Sequence, residues 1–179
     1  MKVVLDACVL YPSVLREILL GVAARGGFTP LWSARILGEW QRAAARRGDA
    51  DAVIASGEIA RARADWPEAE IAADAALEAR LWLPDPADAH VLATAIAGGA
   101  GVIVTLNLRD FPARALAPEE VAAQGPDDFL MTQWLADGPR VEAAVGAAHA
   151  RTEAASGRAQ DLRALLKRAR LPRLGKALG

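Results

Sequence analysis

The sequence predicts an α/β fold, a central parallel sheet flanked by helices, with an α-helical extension at the C-terminus. Three observations carry this reading. Short apolar runs suited to buried strands alternate with segments of helical period over the first two thirds of the chain, the pattern of βα units wound into a parallel sheet. Beyond about residue 124 no strand pattern recurs and the periodicity is helical throughout, so the chain divides at 1–125 and 126–179. Apolar residues make up 53% of the 179 residues and charged ones 24%, enough apolar surface to offset ordering entropy and to exclude wholesale disorder.

The elements follow in order. Val3-Val4-Leu5 reads as a strand that stops at Asp6. Tyr11-Pro12-Ser13 then turns the chain into a helix with Val14, Ile18, Leu19 and Val22 on one face, ended by Gly26-Gly27. Phe28 to Trp32 forms a second strand, and Ser33 is placed to cap a helix through Arg46 with Ile36, Leu37 and Trp40 on its apolar face. Residues 50–80 are rich in alanine and charge, and Trp66-Pro67 splits them into two helical pieces, since proline disfavours helix in the residue before it. Trp82-Leu83 is expected to be extended. Asp85-Pro86 opens a helix through Ile96 that stops at Gly98-Gly99. Val102 to Leu106 is the clearest buried strand, followed by the turn Arg109-Asp110-Phe111-Pro112.

Composition narrows the chemistry. One cysteine cannot close an intrachain disulfide, and with two histidines it cannot furnish four nitrogen or sulfur ligands for a structural zinc, so any metal must sit on oxygen. No apolar stretch is long enough to span a membrane, and the carboxylate of Asp6 interrupts any signal-peptide core, so a soluble cytoplasmic protein is expected. The net charge of -1 hides an asymmetry: residues 1–157 carry 14 Lys+Arg against 21 Asp+Glu, whereas residues 158–179 carry 7 against Asp161 alone. A basic tail suits nucleic acid or an acidic surface. It also suits a solvated helix with Leu162, Leu165, Leu166 and Ala169 on its apolar face.

Four carboxylates occupy informative places: Asp6 after the first strand, Glu39 in the second helix, Asp88 in the first turn after Asp85-Pro86, and Asp110 past the Val102 strand. If the first and Val102 strands are neighbours, Asp6 and Asp110 project from the same sheet edge, where parallel sheets place their ligands, and Asp88 leans over it. Such a cluster repels itself, and a hard divalent cation, Mg²⁺ or Mn²⁺, is the usual resolution.

The segments Leu5-Asp6-Ala7-Cys8-Val9-Leu10-Tyr11-Pro12, Ile36-Leu37-Gly38-Glu39, Asp85-Pro86-Ala87-Asp88-Ala89-His90-Val91-Leu92-Ala93 and Ile103 to Pro112 resemble the acidic motifs of PIN-domain ribonucleases, in the VapC-like toxin branch. The resemblance covers about residues 1–130, with Cys8 and Ala89 as small departures, and the helical extension is absent from minimal members. It implies a Rossmann-like fold and metal-dependent endonucleolytic cleavage of RNA to 5′-phosphate and 3′-hydroxyl ends, as the toxin of a type II toxin–antitoxin pair. Asp6, Glu39, Asp88 and Asp110 match the catalytic quartet. Asp6, Asp88 and Asp110 are expected to hold Mg²⁺ or Mn²⁺, with Glu39 orienting water and Thr105 and Asn107 supporting the ligands through hydrogen bonds. A cognate antitoxin and a homodimer are the partners it implies. Arg16, Arg109, Lys167, Arg168 and Arg170 are candidate RNA contacts. An RNA-processing nuclease outside such a pair, and a catalytically silent RNA- or partner-binding module, remain alternatives.

Other α/β proteins with an aspartate after the first strand, the phosphotransfer receivers and haloacid-dehalogenase-like phosphatases, expect a lysine near the phosphate. The lysines here are Lys2, Lys167 and Lys176, none at a strand end in the sheet, and Cys8 stands where the phosphatase pattern needs a second aspartate. His90 is expected to be a packed or capping residue, His149 to have no chemical role, and Cys8 to be a buried small side chain.

Overall fold

The computed structural model describes residues 1–179. Strand β1 (Lys2–Leu5) is apolar on both faces, with Val3, Val4 and Leu5 fully buried, as a central parallel strand must be. It pairs in parallel with β2 (Thr29–Ser33) on one side and β4 (Val102–Val104) on the other. The two-residue β3 (Glu70–Ile71) and β5 (Ala122–Gln124) complete an all-parallel sheet of order β3-β2-β1-β4-β5. The chain thus builds outward from β1 to β3 and then returns to the other side of β1. The reversal falls between β1 and β4, and in such sheets the crevice at the carboxyl ends of those strands is the ligand site.

Two compact units can be distinguished, Met1–Tyr11 with Thr29–Gln124, and Pro12–Phe28 with Gly125–Gly179. The first holds the sheet. After β1 comes the short helix α1 (Ala7–Leu10), and after β2 comes α3 (Ala34–Ala45), whose first turn is capped by the Ser33 hydroxyl accepting from the Ile36 N–H. Helix α4 (Asp49–Asp65) ends before Trp66-Pro67, and α5 (Ala75–Arg80) is capped by Asp74. Asp85 caps a single 3₁₀ turn, Pro86–Asp88, which leads into α6 (Ala89–Gly98). Helix α6 is buried almost all round and lies against β2: a Cβ at Gly98 would come within 2.6 Å of Leu31 Cδ1. Gly99, in the left-handed region at φ 66, stops it. A second 3₁₀ turn, Leu108–Asp110, and the short α7 (Ala113–Leu116) connect β4 to β5.

The second unit is helical. Helix α2 (Ser13–Ala24), which buries Leu15, Ile18, Leu19 and Val22, packs with α9 (Gly138–Ser156), approaching so closely that a Cβ at Gly21 would lie 3.1 Å from that of Ala144. Phe28 meets Phe129 of α8 (Pro126–Ala136) edge to face at 5.1 Å. The basic tail is two helices, α10 (Leu162–Arg168) and α11 (Pro172–Leu178), which bury Leu165, Leu166, Leu171 and Leu174. The Asp127 carboxylate accepts from the Arg173 and Leu174 N–H groups at 2.8 and 3.0 Å, and the Arg173 guanidinium pairs with Asp128.

Several details depart from the sequence reading. Helix α2, early in the chain, packs with α9 from its far end. The Val102 strand ends at Val104, since Thr105 turns its side chain toward Asp6 while its N–H still donates to Gln124 O. Trp82-Leu83 joins no strand, and β3 lies earlier, at Glu70–Ile71. No helix is long and apolar enough to cross a membrane.

Candidate active site

Asp6 follows β1 at the point where the strand order reverses, and only 6% of it is exposed. Its N–H donates to Val104 O, which ties it to the adjacent strand end. One carboxylate oxygen, Oδ1, accepts from the Ala7 N–H at 2.7 Å and so caps α1. The other, Oδ2, accepts from the Thr105 hydroxyl at 2.6 Å and from the Cys8 thiol at 3.2 Å. The fully buried Thr105 Oγ1 in turn accepts from the Asn107 N–H at 3.0 Å. Asn107 therefore supports the site through its backbone, and its own side chain is exposed. Cys8 is more than a filler. Burial first, then the Asp6 charge, pushes its thiol up to about 12, so it stays protonated as a donor, while its sulfur accepts from the Leu106 N–H at 3.2 Å.

Asp88 ends the 3₁₀ turn at the mouth of α6, one step earlier than a first-turn helical position, and is half-buried. Its carboxyl is raised from 3.8 to about 6, by burial first and then by the charges of Asp6, Asp85, Asp110 and Glu39. The four carboxylates singled out in the sequence thus share one electrostatic field, with Asp85 as a fifth. Asp110 closes the 3₁₀ turn after β4, its side chain 25% exposed. The donors are all oxygens in net negative surroundings, which fits a hard divalent cation. No three acidic, histidine or cysteine side chains stand close enough together to chelate an ion as they are placed.

Glu39 has a different environment. Its Oε1 lies 2.9 Å from Nε2 of the buried His90, 3.7 Å from Arg35 Nε and 3.9 Å from Arg42 Nη2. Burial alone would raise its carboxyl, but the adjoining imidazole and the two guanidinium groups outweigh that and hold it below the usual range. The His90 contact is close but poorly directed, neither ring nitrogen making a well-aligned hydrogen bond. Arg35 also donates to Glu78 at 2.9 Å and to Ala87 O at 3.0 Å, joining α3 to α5 and to the turn that carries Asp88. Arg35 went unremarked in the sequence, although its spacing four residues before Glu39 is the signal for a pair on one helix face.

The candidate RNA contacts separate by exposure. The Arg109 side chain is 93% exposed, only loosely paired with Asp110 at 3.7 Å. Lys167, Arg168 and Arg170 are exposed on the second unit, Arg168 donating to Gln160 at 2.9 Å. Arg16 is only 7% exposed within α2.

Residues 2–109 match the PIN domain family. Over 46 residues the chain is 54% identical to a Mycobacterium tuberculosis protein called "Putative ribonuclease VapC50", a stretch covering 26% of this chain and 27% of that protein. No solved structure matches the chain.

Proposed function

The chain belongs to the PIN domain family, and from that premise we propose that it is a divalent-metal-dependent endoribonuclease, the toxin of a type II toxin–antitoxin pair. The observation that carries the reading is the setting of Asp88 at the reversal of the sheet, where its carboxyl is raised by burial first and then by the charges of Asp6, Asp110 and Glu39 from distant segments and of Asp85 beside it. A structural role would leave this repulsion uncompensated; a cation offsets it.

Asp6, Asp88 and Asp110 are the residues to hold Mg²⁺ or Mn²⁺, which when bound neutralises charge on the scissile phosphate and makes water a competent nucleophile. The protein's share is positioning. Asp6 is fixed by three donors, the Ala7 N–H, the Thr105 hydroxyl and the Cys8 thiol, so its oxygens cannot turn away. Glu39, held as a carboxylate by His90, Arg35 and Arg42, is a weak base and a good acceptor, suited to orienting the attacking water. Arg109, projecting into solvent beside Asp110, is placed to meet a flanking phosphate. The partners that follow are an RNA substrate, a cognate antitoxin and a second copy of the chain.

Cleavage of RNA in Mn²⁺ by the purified chain, and by its Asp6→Asn and Asp88→Asn variants, tests the proposal. Divalent-dependent cutting lost in both variants is expected. Cutting that persists in both, or that ignores a chelator, would refute it.

A further inference from the structure

Trp82 is the most conspicuous side chain outside the carboxylate cluster, an indole with 61% of its surface exposed. Indoles are highly buried on average, so one this open leaves a large flat apolar face in water. Its exposure is not that of a loose end. The next residue, Leu83, is 2% exposed and anchors the segment. At the end of α5, Arg80 makes a bidentate pair with Glu119 at 2.6 and 2.9 Å, which ties α5 to the chain just beyond α7. The exposed Arg114 of α7 lies over the Trp82 ring, its guanidinium carbon 5.7 Å from the centroid. A fixed indole and a cation are therefore presented together.

Their place along the chain relates them to the carboxylates. Arg114 is four residues after Asp110, a reach of at most about 14 Å, and Trp82 is six residues before Asp88, at most about 22 Å. The two segments that bring Asp88 and Asp110 into one field also bring Trp82 and Arg114 into contact. A strand whose phosphate reached Asp88 and Asp110 would need only a few nucleotides to span the distance to this pair.

We propose that Trp82 and Arg114 form a subsite for one unpaired nucleobase of the substrate, the base stacking on the indole and the guanidinium meeting its phosphate. The inference rests on the ribonuclease reading and deepens it: the substrate must be single-stranded near the cut, since a base held in a duplex keeps its faces against its neighbours and cannot stack on a side chain. The cation beside the ring favours a polyanion over an apolar protein segment.

Binding of a short unstructured RNA, and of the same sequence in a blunt duplex, is measured in Mg²⁺ with the Asp6→Asn protein so that nothing is cut. Trp82→Ala and Trp82→Phe are added singly to that background. Trp82→Ala should weaken single-strand binding roughly tenfold, the loss of one base–aromatic stack, and Trp82→Phe by no more than about threefold. Duplex binding should be unaffected by either. Equal single-strand affinity with and without the indole overturns the proposal, as does an equal loss for duplex and single strand. So does an unaltered RNA affinity accompanied by the loss of a bound protein partner, which would make this a protein-docking residue. Cleavage assayed with the native Asp6 separates the two ideas. A chain that binds through Trp82 yet never cuts keeps the subsite and loses the nuclease, whereas one that cuts equally well as Trp82→Ala loses the subsite alone.

Discussion

Replacing Asp88 with asparagine should stabilise the protein when no divalent ion is bound, although it removes a proposed metal ligand. The folded chain holds this carboxyl at about 6 against an ordinary 3.8, so at neutral pH its ionisation opposes folding. The stability it contributes is fully present below pH 3.8 and is lost as pH rises through 6. A shift of that size corresponds to about 3 kcal/mol at 1.36 kcal/mol per pH unit. Asp88 is half-exposed, and screening by water and salt reduces the effect to about 1 kcal/mol. Asp88 makes no capping hydrogen bond to α6, so the lost attraction to the helix end is small, about 0.3 kcal/mol. The amide would keep the shape of the turn without the charge. In EDTA at pH 7.5 the melting temperature of Asp88→Asn should exceed that of the parent by roughly 2–4 °C. The difference should disappear at pH 4, where the parent carboxyl is protonated, and should reverse in millimolar Mn²⁺, the ion that the proposed function assigns to the Asp88 carboxylate. A variant that melts below the parent in EDTA at pH 7.5 would overturn this account, because ionised Asp88, half-buried among other acids, would then not oppose folding.

The remaining predictions concern the supports of the site and the tail. Thr105→Val, at a fully buried position, leaves Asp6 Oδ2 and the part-buried Asn107 N–H short of a partner and should lower unfolding stability by about 1–3 kcal/mol, measured in urea, whereas Thr105→Ser should retain most of it. Cys8, with its thiol near 12, should react with a disulfide reagent at pH 8 at least about a hundredfold more slowly in the folded chain than in denaturant; equal rates would show an accessible thiolate. Removing residues 158–179 would also remove the buried Leu165, Leu166, Leu171 and Leu174, so RNA binding by the tail is better tested by converting Lys167, Arg168 and Arg170 to glutamine. If these three touch phosphates, the slope of log affinity against log salt should fall by about 0.7 for each phosphate no longer neutralised on single-stranded RNA. An unchanged slope returns the tail to a solvated helix.

What the sequence made legible was whatever chemistry is encoded locally. Val3-Val4-Leu5 before Asp6, Ser33 before α3, Asp85-Pro86 before the 3₁₀ turn and Gly99 after α6 each carry their structural cause within a few residues, and each is found where expected. Strand β3 was not legible, because Glu70-Ile71 has no strand pattern of its own. It exists through the register Trp32 to Glu70 and Ser33 to Ile71, and an ion pair from Arg63 to Glu70 at 2.7 Å steadies it. Arg16 reads as a surface cation because a helix alone does not say which of its faces a distant element covers. At the site, the order of the four acids was readable, but the His90 contact with Glu39 joins α3 to α6 across about 50 residues and has no local signature. Cys8 reads as a small filler in the sequence, since its value depends on where Thr105 and Leu106 arrive from another strand.

The distribution of compensating groups argues for where a cation belongs. Asp6 is held by an amide, a hydroxyl and a protonated thiol, donors that fix a carboxylate while bringing no formal charge. Glu39 has Arg35, Arg42 and the His90 imidazole around it. Asp88 has only other acids, and Asp110 only the loose approach of a solvent-exposed arginine. Positive charge is thus supplied at the Glu39 edge and withheld between Asp6, Asp88 and Asp110. The one lysine of the sheet-bearing unit, Lys2, sits at the opposite end of β1, where its ammonium donates to Gly98 O at 3.0 Å and closes the C-terminus of α6. A lysine at the other end of that strand would settle the repulsion permanently and leave nothing for an exchangeable ion to do. The fold instead tolerates a destabilising cluster at the reversal of its sheet, which the cation of the proposed function would offset.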